Sequence, residues 1–140
     1  MLFGKRRSRI ARVLIVEDEP LVAFDNEHVL GDAGYEVVAA VDTVRQAVRL
    51  IERGGIDLVI ADVSLSDGGN GIEVARAAQA HGTPLLFATG TCPLHAQELA
   101  VGCLAKPYGP RDLLQAIAAV DAKLSGREVK RKPAGLTLFG

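Results

Sequence analysis

Val13-Leu14-Ile15-Val16-Glu17-Asp18-Glu19-Pro20 sets an apolar run, three acids and a proline in a row. Four aliphatic residues make too short a stretch for a helix face but suffice for a buried strand, which typically needs about 4–8 residues. Pro20 suits the first turn of a helix, where the N–H that proline lacks would have no intrahelical partner. After it Val22, Val29, Leu30 and Ala33 share one helical face, and Gly34 ends the helix. The stretch therefore reads as one strand passing into one helix, with acids at the join.

The alternation repeats along the chain. Apolar runs at Tyr35–Val41, Leu58–Ala61, Leu85–Ala88 and Gly102–Ala105 read as four further strands. Val44, Ala47, Val48 and Ile51 form an i, i+3, i+4, i+7 stripe stopped by Gly54-Gly55. A third helix runs from Ile72 to about Ala80, and a short fourth covers Leu94–Ala100. The fifth opens at Pro110 and carries Leu113, Ile117, Val120 and Leu124 on one face. Short strands that are apolar throughout and separated by helices predict a buried parallel sheet, so the chain reads as an α/β domain of five βα units, (βα)5.

At 140 residues, 49% apolar and 24% charged, the chain has the size and balance of one soluble domain. With no Trp, four Phe and two Tyr, its core must rest on aliphatic packing. The net charge of -1 conceals a division. Residues 1–12 and 125–140 hold nine Lys or Arg against the single acid Glu128, whereas the body between them is strongly acidic. An acidic body argues against a nucleic-acid-binding core. The boundaries expected are a basic extension over 1–11, the domain over 12–124, and a basic, flexible tail over 125–140. Within that tail Leu136-Thr137-Leu138-Phe139 is apolar enough to dock on a surface, its own or a partner's.

The apolar run after the basic start ends at Glu17, too soon for a signal peptide or a membrane span, so a cytoplasmic location is expected. Cys92 and Cys103 are too few for a disulfide scaffold and read as thiols in a reducing compartment, the alternative being a redox pair. His28, His81 and His95 lack metal-ligand spacing and read as surface residues. Asp67-Gly68-Gly69-Asn70-Gly71 lacks the alternating ligands and distal Glu of a calcium loop and reads as a flexible loop.

Ligands of open parallel sheets bind at the carboxyl ends of the strands. Glu17 and Asp18 follow the first run, Asp62 the third, Thr89 the fourth and Lys106 the fifth. Three carboxylates brought together repel by about 4 kcal/mol per pair at 4 Å and an effective dielectric of 20, so the cluster calls for a cation. Oxygen donors with room for water and phosphate suit Mg²⁺. Asp62 is then a candidate nucleophile for a phosphoryl group, with Mg²⁺, the Lys106 ammonium and the Thr89 hydroxyl neutralising its oxygens.

In Val13–Pro20, Asp57-Leu58-Val59-Ile60-Ala61-Asp62, Ala88-Thr89-Gly90 and Ala105-Lys106-Pro107-Tyr108 the chain resembles the receiver domain of two-component response regulators, over roughly Arg12 to Leu124. The resemblance implies a doubly wound, flavodoxin-like sheet of strand order 2-1-3-4-5. It implies that Asp62 takes phosphate from the phosphohistidine of a sensor histidine kinase. Asp18 and Asp62 would bind Mg²⁺ directly, Glu17 largely through water, and Ser64 through its carbonyl. It further implies a cis Lys106–Pro107 peptide and an output surface over about Leu94–Leu124. Phe87-Ala88-Thr89-Gly90 resembles the FAT GUY subgroup of single-domain regulators linked to the general stress response of alphaproteobacteria, although Thr91-Cys92 replace the rest of that motif. Cys103 stands where many receivers carry a switch aromatic, so motion of the loop after Thr89, eased by Gly90, is expected in place of Thr–aromatic coupling.

The expected function is that of a stand-alone receiver, not an enzyme, signalling through protein contacts with kinases, other regulators or histidine phosphotransfer proteins, without direct DNA binding. A phosphate sink and a phosphorelay intermediate are variants of it. A phosphatase of the haloacid-dehalogenase type is a remote alternative, since Ser64 stands where that chemistry wants a second Asp. A flavodoxin-like cofactor binder is disfavoured because Glu17-Asp18-Glu19 would repel a phosphate that lacks a metal.

Overall fold

The computed structural model describes residues 10–65 and 68–140. Lys5-Arg6-Arg7 of the basic extension and Asp67 of the glycine-rich loop lie outside the described residues. The elements are β1 (Arg12–Val16), α1 (Pro20–Asp32), β2 (Glu36–Val41), α2 (Val44–Arg53), β3 (Leu58–Ala61), α3 (Gly71–Ala80), β4 (Leu85–Thr89), a 3-10 segment (Leu94–Leu99), β5 (Gly102–Ala105), α4 (Pro110–Leu124) and β6 (Leu136–Leu138). The sheet runs 2-1-3-4-5-6, with the first five strands parallel and β6 antiparallel to β5. The five parallel strands and the 2-1-3-4-5 order are thus as the sequence and its resemblance implied, whereas the fourth helix expected over Leu94–Ala100 is a 3-10 segment with Ala96 outside helical geometry.

Strict alternation along the central strands sends side chains to two cores. Leu14, Val16, Val59, Ala61, Leu85 and Phe87 face α2 and α3, where Ala47, Ile51, Val74 and Ala78 meet them. Val13, Ile15, Leu58, Ile60, Leu86 and Ala88 face the other way, onto Leu30 of α1 and Leu113, Ile117 and Val120 of α4. Every residue of β3 is buried because it lies between two strands and beneath two helical layers. The α1 stripe is narrower than its sequence suggests. Only Leu30 of it is fully buried, and Ala33 lies exposed beyond the helix end.

Two contacts place the domain edges. The Asp57 carboxylate accepts from the backbone N–H groups of Ala11 and Arg12 at 2.9 and 2.8 Å, tying the start of β1 to β3. Ile10, assigned to the extension, is 2% exposed and belongs to the core. The glycine-rich loop also has a defined end. Asn70 caps α3 by accepting from the Ile72 N–H at 2.7 Å, and the Glu73 carboxylate accepts from the Asn70 N–H at 3.2 Å.

The last residues depart from the flexible tail expected over 125–140. Leu136, Thr137 and Leu138 pair with Leu104, Cys103 and Gly102, and the Phe139 N–H donates to the Val101 carbonyl at 2.9 Å. Leu136 is buried and Phe139 packs against the core, because the outer edge of β5 presents unpaired backbone groups and an apolar face that the basic linker is long enough to reach. A Cβ at Gly102 would lie 2.6 Å from the Thr137 carbonyl oxygen, so glycine is what lets β6 approach.

Cys92 and Cys103 depart from the thiol reading as well, for they form a disulfide. The chain after β4 turns back across β5 through the 3-10 segment, bringing the two Cα atoms to 6.0 Å. That return is a tertiary event, invisible in a separation of 11 residues. The three histidines are exposed, as expected.

Candidate functional site

Backbone hydrogen bonds that continue the ladders just past the strands build the site. The Glu17 N–H donates to Val41, the Asp62 N–H to Val16 and the Lys106 N–H to Thr89, each at 2.9 Å. These bonds hold Glu17, Asp62, Thr89 and Lys106 level along the carboxyl edge, at the point between β1 and β3 where the strand order reverses. Gly71 secures the loop below. Its N–H donates to the Val63 carbonyl at 2.6 Å, and a Cβ there would collide with the Asp62 carbonyl. The Lys106–Pro107 peptide is cis, as the resemblance implied.

The Lys106 ammonium stands at the centre. Its Nζ lies 2.9 Å from Asp62 Oδ2, 2.9 Å from Glu17 Oε1 and 2.8 Å from Glu19 Oε1. Asp62 Oδ1 accepts from the Val63 N–H at 2.7 Å, and Thr89 is buried at the neighbouring strand end. Burial alone pushes the Asp62 carboxyl up, but Lys106, Thr89 and the Val63 N–H outweigh it and hold the group below the usual carboxylate range. In Glu17 burial prevails over Lys106 and the Glu19 N–H, and its carboxyl is pushed up. For Lys106 burial works to lower the pKa, yet Glu19, Asp62 and Glu17 together raise it, so the ammonium stays charged.

Glu17, Asp18 and Asp62 offer carboxylate oxygens that all lie within 4.8 Å of one another. Glu17, Glu19 and Asp62 share one ammonium and Asp18 stands beside them, leaving an anionic surplus made of hard oxygen donors. That donor set fits Mg²⁺. Ser64 lies in the loop two residues past Asp62, exposed and bridged to Asn70. The site residues expected from the sequence thus share one edge, and the buried set among them is Glu17, Asp62 and Thr89.

Sequence reasoning did not assign roles to Glu19, Gly71, Asn26 or Tyr108. Glu19 was legible as a third acid in the row, but its turn toward Lys106 depends on how α1 begins. The Asn26 side-chain amide donates to the Tyr108 hydroxyl at 2.8 Å, joining α1 to the segment after the cis proline. A cavity of about 580 Å³ opens there, lined in part by Val22, Asn26, Lys106, Pro107 and Tyr108. Among the described residues, no helix is long and apolar enough to cross a membrane.

The chain is similar to known proteins. Residues 13–118 match the family described as the response regulator receiver domain. The transcriptional regulatory protein PdtaR of Mycobacterium tuberculosis is 35% identical over 112 residues, which are 76% of this chain and 54% of that protein. The phyllosphere-induced regulator PhyR of Methylorubrum extorquens is 33% identical over 79 residues, 55% of this chain and 30% of that one. The chain therefore spans about half or less of the length of these curated relatives. Among solved structures, SdrG of Sphingomonas melonis superposes with a TM-score of 0.69 at 36% identity, covering 81% of this chain and 98% of that one. With the parallel sheet, the acidic edge and the match over residues 13–118 agreeing, the chain belongs to the response regulator receiver domain family, a phosphoacceptor signalling module rather than an enzyme.

Proposed function

We propose that Asp62 accepts a phosphoryl group from the phosphohistidine of a sensor histidine kinase in a Mg²⁺-dependent reaction. One Asp62 oxygen forms the new O–P bond as the P–N bond breaks, and the electron pair of that bond leaves with the imidazole, which regains a neutral nitrogen. The observation that carries this reading is the Lys106 ammonium 2.9 Å from Asp62 Oδ2 at an edge where Glu17 and Asp18 stand within ligand range. Lys106 orients the nucleophile and remains protonated to meet charge on the phosphoryl oxygens. Thr89 donates its hydroxyl to the same region. Mg²⁺, held by Asp18, Asp62 and the Ser64 carbonyl with Glu17 largely through water, would neutralise phosphoryl oxygens as they arrive.

The donor must approach this edge, and the surface beside it is suited to receive a protein. Leu21 and Phe24 of α1 are 78% and 56% exposed, and Phe24 stacks edge-on against His28 with ring centres 4.5 Å apart. Apolar side chains of that size beside a charged edge fit a partner helix carrying the phosphohistidine. The expected output surface, Leu94–Leu124, carries β6 along its β5 edge, so signalling through protein contacts would involve the C-terminal strand as well. A cytoplasmic general stress response is the setting favoured by Phe87-Ala88-Thr89-Gly90 and by the similarity to PhyR.

Incubation with acetyl phosphate and Mg²⁺ tests the central step. The intact protein should gain the mass of one phosphoryl group, and Asp62→Asn should gain none. Steady turnover of a small phosphoester, without a stable adduct, would overturn the reading in favour of a phosphatase.

A further inference from the structure

The disulfide lies between the two residues that touch Asp62 from β4 and β5. Cys92 follows Thr89 by three residues, and Cys103 precedes Lys106 by three. The Lys106 N–H also donates to the Thr89 carbonyl at 2.9 Å, so the strand ends are tied by a hydrogen bond and the loop beyond them by a covalent bond. Between these ties lie Gly90 and Thr91, both exposed, and a Cβ at Gly90 would meet open space.

The two sulfurs are unequally placed. Cys103 is fully buried, opposite Phe87 in the β4 ladder and Thr137 in the β6 ladder. Cys92 is half-buried in the surface loop, next to exposed Thr91 and near exposed Leu94. An incoming thiolate therefore has access to one sulfur and not the other, which defines an order of bond breaking.

We propose that Cys92–Cys103 is a reversible thiol–disulfide site whose oxidised form holds the Thr89 loop against Asp62 and whose reduction frees it, so that redox state sets the rate of phosphoryl transfer. The rate control rests on the phosphoacceptor reading above. The reductant is a dithiol. One of its thiolates attacks the Cys92 sulfur, the S–S bond breaks, and Cys103 leaves and takes a proton. The second thiolate then attacks the mixed disulfide and releases Cys92, which takes the other proton. Two electrons and two protons pass to the cysteine pair, and the dithiol becomes a disulfide. Disulfides in reducing compartments are mostly of this transient, sensing kind. In the oxidised form Thr89 is seated at the strand end beside the site, its carbonyl accepting from the Lys106 N–H at 2.9 Å, so releasing the loop removes a preorganised position.

The test compares the full chain, oxidised and dithiothreitol-reduced, by three readouts. Iodoacetamide should label neither cysteine before reduction and Cys92 alone after it, Cys103 being labelled only when the reduced chain is also unfolded in urea. Amide exchange at residues 90–94, with no phosphoryl donor present, should quicken on reduction. Phosphorylation by acetyl phosphate and Mg²⁺ should slow by about fivefold, the lower end of ordinary coupling between sites. Cys92→Ser should behave as the reduced protein under both conditions, and it spares the buried Cys103. Labelling of Cys92 without reductant, or equal rates with equal exchange in the two states, overturns the switch while the phosphoacceptor reading stands. Failure of both states to gain a phosphoryl group overturns that reading and the rate control together.

Discussion

The carboxyl edge of the sheet and its β5–β6 flank are held by different forces. At the edge Glu17, Glu19 and Asp62 share the Lys106 ammonium with Asp18 beside them, and what fixes them is attraction to that one charge. At the flank Leu136, Leu138 and Phe139 cover β5, and the disulfide beneath them ties Cys103 to the Thr89 loop. Carboxylates in excess of one ammonium make a site that can respond to cations. A buried strand with a covalent crosslink makes a support that does not. The two meet at the backbone hydrogen bond between Lys106 and Thr89, through which the support aligns the site.

Ways to break this division run from complete to slight. Asp62→Asn should abolish phosphoryl gain from acetyl phosphate altogether, as read by intact mass, because the nucleophilic oxygen is replaced by an amide. Lys106→Ala leaves Glu17 and Asp62 facing each other, and urea unfolding without metal should show a loss of about 3 kcal/mol, the lower figure for a broken buried pair because the lysine side chain keeps 17% exposure. Added Mg²⁺ should return part of that loss, and the absence of any recovery would break the claim that this edge is governed by charge.

Leu136→Ala removes a side chain only 2% exposed, and should cost about 2–3 kcal/mol in the same unfolding measurement. Here Mg²⁺ should shift the variant and the wild type equally. A selective rescue would show that the flank is coupled to the site electrostatically. The smallest effect is expected of Asn70→Ala, which deletes the cap of α3 and should lower stability by about 1 kcal/mol. Amide exchange should then quicken in the first turn of α3 while β6 is unaffected.

The parts of the molecule differ in how far they could be read from residues alone. All five parallel strands and the helices Pro20–Asp32, Val44–Arg53, Gly71–Ala80 and Pro110–Leu124 were legible, since each buries its own periodic face. The placement of Glu17, Asp18, Asp62, Thr89 and Lys106 at one edge was equally legible, because parallel strands put all their carboxyl ends on the same side. Ala33 was misplaced because an apolar residue one position past a helix end keeps the stripe but not the geometry. Glu19 was given no role of its own, since nothing local says that it turns toward a lysine 87 positions away.

β6 and the disulfide were harder to read for a shared reason. Leu136-Thr137-Leu138 is three residues of apolar alternation behind a basic linker, too short to announce a strand without the edge that receives it. Two cysteines 11 residues apart carry no pairing information until the chain between them folds back. The sequence by itself determined the alternating βα architecture and the chemistry of the carboxyl edge, because periodicity and strand polarity are local properties that act the same way in every unit. Only the tertiary structure decided how Lys106 is shared among three carboxylates, what closes the edge of β5, and which sulfur meets which. Those outcomes depend on distances between segments, and only packing sets them.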